Sequence, residues 1–299
     1  MPLRSVAGRC FCARSHAALV CLIAVLVGAP PCVSAQTPGE LTDPDPAVDS
    51  NPRGWVPALR SMGQNALTIA EAPFSLSSSQ QLLALGTSGV VVSAMSVLDR
   101  PVHRRFDGSS GSVSATTGLL ATPGRWYDRA GPDPVALGTA GVLAAGGLAL
   151  QRRSVTRASV RVLEAVAYTK LVTGFAKGLF SRARPYVGQG PIAGKPGSFD
   201  GATTHTSMPS GHTARAFAIA SVLAHEADRW YVSVPAYGVA VSVGLERVHS
   251  GDHWLTDVAV GGTLGYLIGR VVSSPPSASG DVTYTPIVST DRVGFTVQF

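Results

Sequence analysis

The chain has 299 residues, a formal charge of +6, 45% hydrophobic residues and only 14% charged ones. That composition excludes disorder, and the lack of a repeat, a heptad pattern or dense cysteines excludes collagen-like, coiled-coil and disulfide-scaffold classes. Of the 24 basic residues only Lys170, Lys177 and Lys195 are lysines, and no basic stripe with interleaved aromatics points to a nucleic acid.

Residues 1–35 read as a signal peptide. Arg4, Arg9 and Arg14 precede an apolar run from Ala17 to Val27, Pro30 and Pro31 break it, and Val33-Ser34-Ala35 offers small residues for cleavage. The run is short of the ~20 residues of a membrane span. The expected compartment is therefore periplasmic or cell-envelope. Cys10, Cys12, Cys21 and Cys32 all lie in this leader, so the exported chain would hold no disulfide or cysteine nucleophile. Residues 36–75, opened by five prolines up to Pro57, read as a disordered lead and a first short helix.

Residues 76–272 read as one helical domain, with about six helices: Gln80–Leu98, Pro134–Gln151, Ser154–Arg182, Met208–Asp228, Trp230–Arg247 and His253–Val272. The first two stretches carry no charge. Their length suits a membrane span, while the later ones are short and diluted by Ser, Thr and Gly. A soluble or peripheral bundle and an integral one both stay open. Residues 273–280 (SSPPSASG) read as a linker. Residues 281–299 switch to a period of two, Phe295, Val297 and Phe299 alternating with Thr296 and Gln298, as in a β-hairpin. The expected fold is all-α, a bundle with its active site between helices, plus that C-terminal hairpin.

Three motifs fall within the helical domain. In the first, Lys177 and Arg184 are seven residues apart, two helical turns, and face one side ahead of Pro185. A point charge and a planar fork together suit an oxyanion. Arg182 falls nearly opposite and reads as a surface residue. In the second, Pro209-Ser210-Gly211-His212 leads into a helix, where free N–H groups favour an anion. Gly211 permits close approach, Ser210 donates a hydrogen bond, and His212 can give or take a proton near neutral pH. In the third, His253 and Asp257 are spaced i, i+4 on a helix, so the carboxylate can take the Nδ1 proton and leave Nε2 as a nucleophile. Arg247, one short loop upstream, can reach the same anion. Taken singly, each motif also fits a bland role: a solvated basic helix end, a Ser N-cap with a chance histidine, a surface ion pair.

Taken together and in this order, Lys177, Arg184-Pro185, Pro209-Ser210-Gly211-His212, Arg247, His253 and Asp257 resemble the type 2 phosphatidic acid phosphatase/vanadium haloperoxidase superfamily. The resemblance covers about residues 76–272. One departure is Glu246, where the family pattern has a serine. The resemblance implies that His253 attacks phosphorus, Asp257 orients it, and His212 protonates the leaving oxygen and then activates water. Lys177, Arg184, Ser210, Gly211 and Arg247 would hold the phosphoryl oxygens. No metal or other cofactor is implied, and the sequence offers no carboxylate cluster for magnesium.

The implied activity is metal-independent hydrolysis of a phosphomonoester or diphosphate. A lipid such as phosphatidic acid or a polyprenyl diphosphate is the first choice of substrate, with possible membrane association. The alternative is a broad-specificity soluble periplasmic acid phosphatase; a haloperoxidase and a non-catalytic envelope protein rank lower. Among secondary residues, His205 reads as a loop residue, Trp254 as packed against a helix, and Gly174, Gly178, Gly261 and Gly262 as helix-packing glycines. Nothing in the sequence sets the oligomeric state.

Overall fold

The structure is a computed structural model that describes residues 55–71, 90–91, 93–95, 97–106, 117–274, 283–288 and 293–298. The leader, the linker at 275–280 and the expected hairpin turn at 289–292 lie outside the described residues. The chain divides into two units, 1–48 with 287–294 and 49–286 with 295–299. The first falls almost wholly outside the described residues; the second holds the helices.

These are α1 (Trp55–Glu71), α2 (Asp99–Phe106), α3 (Thr122–Ala130), α4 (Pro132–Ala149), α5 (Arg153–Phe180), α6 (Gly211–Ala227), α7 (Trp230–His249) and α8 (Leu255–Ser273). The expected 80–98 helix is described only at its C-terminal end, where residues 90–91, 93–95 and 97 are helical. Helices α2 and α3 exceed the six expected. Both are short, and α3 opens on a Thr-Pro-Gly run that reads locally as a turn. Tertiary contact holds α3 in place: the Gly124 N–H donates to Ser242 Oγ at 2.9 Å. Strand backbone appears at Thr283–Val288 and Val293–Gln298.

Helix α6 is the central element because it is apolar all round. One side packs Ala218, Ile219 and Val222 against Ala136 and Ala140 of α4, Val162, Ala165 and Val166 of α5, and Ile268 and Val272 of α8. The other side packs Ala216 and Ala220 against Tyr127 of α3 and Ala240 and Val243 of α7. Among the described residues one helix, α8, is long and apolar enough by length and composition to cross a membrane.

A glycine stripe sets the spacing of α6 and α8. Gly261, Gly265 and Gly269 recur every four residues and so share one face of α8. A Cβ on them would stand 2.5 Å from Ser210 O, 1.9 Å from Ala214 O and 2.6 Å from Ser221 Cβ respectively. The two backbones therefore touch along three turns, starting at the second motif. Gly265→Ala should force the helices apart and destabilise the fold by about 1–3 kcal/mol or more. Gly238→Ala on α7, where nothing lies within 4 Å, should instead be neutral or stabilising by up to about 1 kcal/mol, since only helix propensity changes. Thermal unfolding of the two variants checks the contrast.

Candidate active site

All three motifs meet at one end of α6. Helix α5 stops at Phe180 because Ser181 is left-handed (φ 37°, ψ 46°) and donates its N–H back to Lys177 O. The expected continuation to Arg182 is thus corrected. Lys177 remains on the helix, while Arg184 follows in extended backbone with φ −74° and ψ 155°. The two cations reach the same site through a chain reversal and not through helical register.

The same reversal turns Arg182 inward. It is 2% exposed, against the surface position expected. Its Nε donates to Pro191 O at 2.6 Å, its Nη2 to Asp99 Oδ2 at 2.6 Å, and its Nη1 to Thr256 Oγ1 at 2.9 Å and to Asp257 Oδ1. The guanidinium also lies over the Trp254 ring, 5.5 Å from its centroid. Asp99 is fully buried and accepts the Thr256 N–H at 3.0 Å and the Thr256 hydroxyl at 2.6 Å. The Trp254 Nε1–H donates to Ala183 O at 2.9 Å, so this ring is packed, as its sequence context implied.

Ser210 is the N-cap of α6, fully buried, yet its side chain caps no backbone N–H. Its Oγ pairs with Thr213 Oγ1 at 3.0 Å, and its own N–H donates to Asp257 O at 3.0 Å. The bland N-cap role is thus not the one adopted, and the helix start at Gly211 keeps N–H groups available for an anion. The Gly261 contact presses this turn against α8.

His253 lies in the loop before α8 and not on the helix, which begins at Leu255 with Trp254 as its N-cap. It is 2% exposed. Its Nδ1 sits 2.7 Å from Ser207 O and 3.7 Å from Asp257 Oδ2. A carbonyl only accepts, so Nδ1 carries the proton and Nε2 does not. The expected direct bond to Asp257 is therefore corrected. That carboxylate is already occupied by Arg182 on Oδ1 and by the Ser207 hydroxyl and the Trp254 N–H, at 2.9 Å, on Oδ2. Burial by itself would raise Asp257, but His253, Arg182 and Ser207 outweigh it and hold the group below the usual carboxylate range. Burial pushes His253 down against the pull of Asp257, and Arg184 and Lys177 push the same way. His253 is thus a neutral imidazole.

Arg247, near the end of α7, is 7% exposed and accepts the His253 N–H on its carbonyl at 3.1 Å. Its Nη2 meets Asp128 Oδ2 at 2.9 Å and Asp252 Oδ2 at 3.1 Å. Its Nε is buried with no hydrogen-bond partner among the described residues, a donor without an acceptor. Asp128 also places Oδ1 3.4 Å from His212 Nε2. Burial and then the charges of Arg247, Arg215, His253 and Lys177 depress His212 to about 3. Burial, Arg184 and Arg215 lower Lys177 to about 8. Both shifts follow from burial in a cation-rich cradle. Glu246, the departure from the family pattern, is buried and faces Arg125 Nε at 3.8 Å, outside the cradle.

Sequence reasoning missed Asp99, Asp128, Ser207 and Arg215. Asp128 is 119 residues from Arg247, and Asp99 is 157 from Thr256. No local spacing marks either. Of the packing glycines, Gly178, Gly261 and Gly262 do meet Phe199, Ser210 and Phe217, whereas Gly174 has nothing within 4 Å. His205 sits on a short 3-10 turn in the loop before the second motif.

Parts of the chain are similar to known proteins. A lipid A 1-phosphatase from Porphyromonas gingivalis is 42% identical over 72 residues, which are 23% of this chain and 16% of that protein. This chain thus spans a small fraction of that relative's length. Two crystal structures align more broadly and weakly. LpxE of Aquifex aeolicus is 21% identical with a TM-score of 0.42, covering 59% of this chain and 94% of that one. A transmembrane PAP2 type phosphatidylglycerolphosphate phosphatase from Bacillus subtilis is 20% identical with a TM-score of 0.36, covering 61% and 93%. Residues 158–279 match the PAP2 superfamily, and that stretch holds all three motifs.

Proposed function

We propose that the protein is a metal-independent phosphatase that hydrolyses a lipid phosphate through a phosphohistidine. The observation that carries the reading is the 2.7 Å contact of His253 Nδ1 with Ser207 O, which can only accept, so that Nδ1 takes the proton and Nε2 is the lone-pair nitrogen beside Lys177 and Arg184. Nε2 attacks phosphorus, and the N–P bond forms as the bond to the leaving oxygen breaks. Lys177, Arg184, Arg247, Ser210 and the N–H of Gly211 hold the phosphoryl oxygens as charge grows on them. Burial and the neighbouring cations favour neutral His212, and a phosphate dianion would favour its charged form. The proton then goes to the leaving oxygen, and His212 next takes one from the water that hydrolyses the phosphohistidine.

A lipid substrate is favoured by the outer face of α5. Val160, Leu163, Leu171, Phe175 and Leu179 of α5 are exposed, Leu171 and Phe175 at 70% and 62%. Large apolar side chains left in water on one helix suit contact with lipid. The leader expected at residues 1–35 would put the enzyme at the cell envelope. The test is phosphate release from phosphatidic acid and a prenyl diphosphate in excess EDTA. Activity should persist, and orthovanadate, which adopts the geometry of pentavalent phosphorus, should inhibit. Loss of activity in EDTA that magnesium restores would overturn the mechanism.

A further inference from the structure

No motif residue falls between Arg247 and His253, yet the last residue there is an acid. Asp252 stands directly before the proposed nucleophile. The chain leaves α7 at His249 and turns over Ser250-Gly251-Asp252. Gly251, with φ 71°, takes the left-handed conformation that this reversal requires. The Gly251 N–H closes the turn on Val248 O at 3.1 Å, and the His253 N–H closes it on Arg247 O at 3.1 Å. The Asp252 side chain is thereby brought back toward the end of α7, where the Ser250 hydroxyl donates to its Oδ2 at 2.7 Å.

That carboxylate faces two cations from different parts of the fold. Oδ2 lies 3.1 Å from Arg247 Nη2, on α7, and Oδ1 lies 3.7 Å from Arg184 Nη1, in the extended segment after α5. Arg184 Nη1 also donates to the Asp252 carbonyl at 3.4 Å. Asp252 thus touches both arginines of the proposed phosphoryl cradle. Each arginine has a firmer anchor of its own. Arg184 Nε donates to Thr203 O at 2.9 Å, and Arg247 Nη2 donates to Asp128 Oδ2 at 2.9 Å. Neither fork depends on Asp252 to fix it.

The setting of Asp252 differs from that of the sealed pair Arg182–Asp99. Those side chains are 3% and 0% exposed, whereas that of Asp252 is 31% exposed. A carboxylate in reach of water gives up an ion-pair partner at little cost, because water takes the freed oxygen. A phosphoryl group at Arg184 and Arg247 offers the two forks the same kind of partner with more charge. The two anions therefore compete for the same guanidinium groups.

We propose that Asp252 is a counter-anion of the cradle, which competes with phosphate for Arg184 and Arg247 and so speeds the release of orthophosphate. The proposal rests on the phosphoryl cradle of the proposed function and concerns the step that frees its product. Once the phosphohistidine is hydrolysed, orthophosphate leaves the two forks and the Asp252 carboxylate takes over their charge. Its fixed negative charge opposes a tightly held product, and lower affinity is expressed chiefly as faster dissociation.

Calorimetry with orthophosphate and the full chain tests this. Asp252→Asn keeps the shape of the side chain and an acceptor for Ser250 but removes the charge. It should bind orthophosphate about 3- to 10-fold more tightly, the scale of a partly screened charge contact to two cations. Orthophosphate should also inhibit phosphatidic acid hydrolysis more strongly by the same ratio. Asp252→Glu, which keeps the charge, should stay near the unaltered affinity, and so should Asp228→Asn, at the far end of α6. A gain in affinity is not what damage to the site produces. Equal or weaker binding in Asp252→Asn would overturn the counter-anion, as would an equal gain in Asp228→Asn. An unaltered chain that binds no orthophosphate would overturn the cradle and Asp252 with it. A chain that shows the expected gain but frees no phosphate from any ester would retain Asp252 and overturn the hydrolase reading.

Discussion

His253→Ala should abolish turnover of every phosphoester, while the effect of His212→Ala should depend on the leaving group. In the proposed mechanism His253 supplies the attacking nitrogen, and the other histidine at the site, His212, faces Asp128. In the same mechanism His212 supplies a proton that an alkyl oxygen needs and a nitrophenolate does not. General acid catalysis is worth about 10²–10⁴-fold. His212→Ala should lose most of that factor on phosphatidic acid and distinctly less in the phosphorylation step with p-nitrophenyl phosphate, read as a burst or a trapped phosphohistidine. The burst is the useful measure because hydrolysis of the intermediate also calls on His212. Equal losses in phosphorylation rate for both esters would remove His212 as the acid. A phosphoryl group trapped on the His253→Ala protein would move the nucleophile elsewhere.

Arg182→Met should be among the most damaging changes outside the cradle. Arg182 offers donors to two carboxylates, Asp99 and Asp257, both with no exposed side-chain surface. Removing one partner of a buried ion pair costs about 3–5 kcal/mol, because the other charge stays buried without compensation. Chemical unfolding should show that loss. The double variant Arg182→Met/Asp99→Asn should recover part of it, since one orphaned charge is gone. A loss within about 0.5 kcal/mol, as at an ordinary surface position, would return Arg182 to the exterior.

The motif residues were legible in the sequence, but the geometry that joins them was only partly so. Residue type and order singled out Lys177, Arg184, Ser210, Gly211, His212, Arg247, His253 and Asp257 as a candidate phosphate site, and the fold gathers them at one end of α6. The errors came from extending a helix through it. Carried to residue 182, the helical wheel sends Arg182 outward; the left-handed Ser181 sends it inward. Carried back to residue 253, the i, i+4 rule pairs His253 with Asp257; a start at Leu255 hands the histidine to a backbone carbonyl instead. Both errors sit at helix ends, where a side chain's direction depends on one residue's dihedral angles. Asp99 and Asp128 were out of reach for a different reason. They join the site through tertiary packing of the two short helices α2 and α3, whose own sequences carry little signal.

The proton of His253 is held by the main chain at Ser207. Every amino acid carries the same carbonyl there, so a change of side chain does not in itself erase the acceptor, although the buried Ser207 hydroxyl also serves Asp257. The orientation of the nucleophile is thereby shielded from single-site genetic variation, and a family alignment would show no column for it. What can be lost is the position of the loop. That position is set by Arg182, whose carbonyl accepts the Ser207 N–H at 3.1 Å, so inherited defects of this histidine should map to the residues that brace the loop.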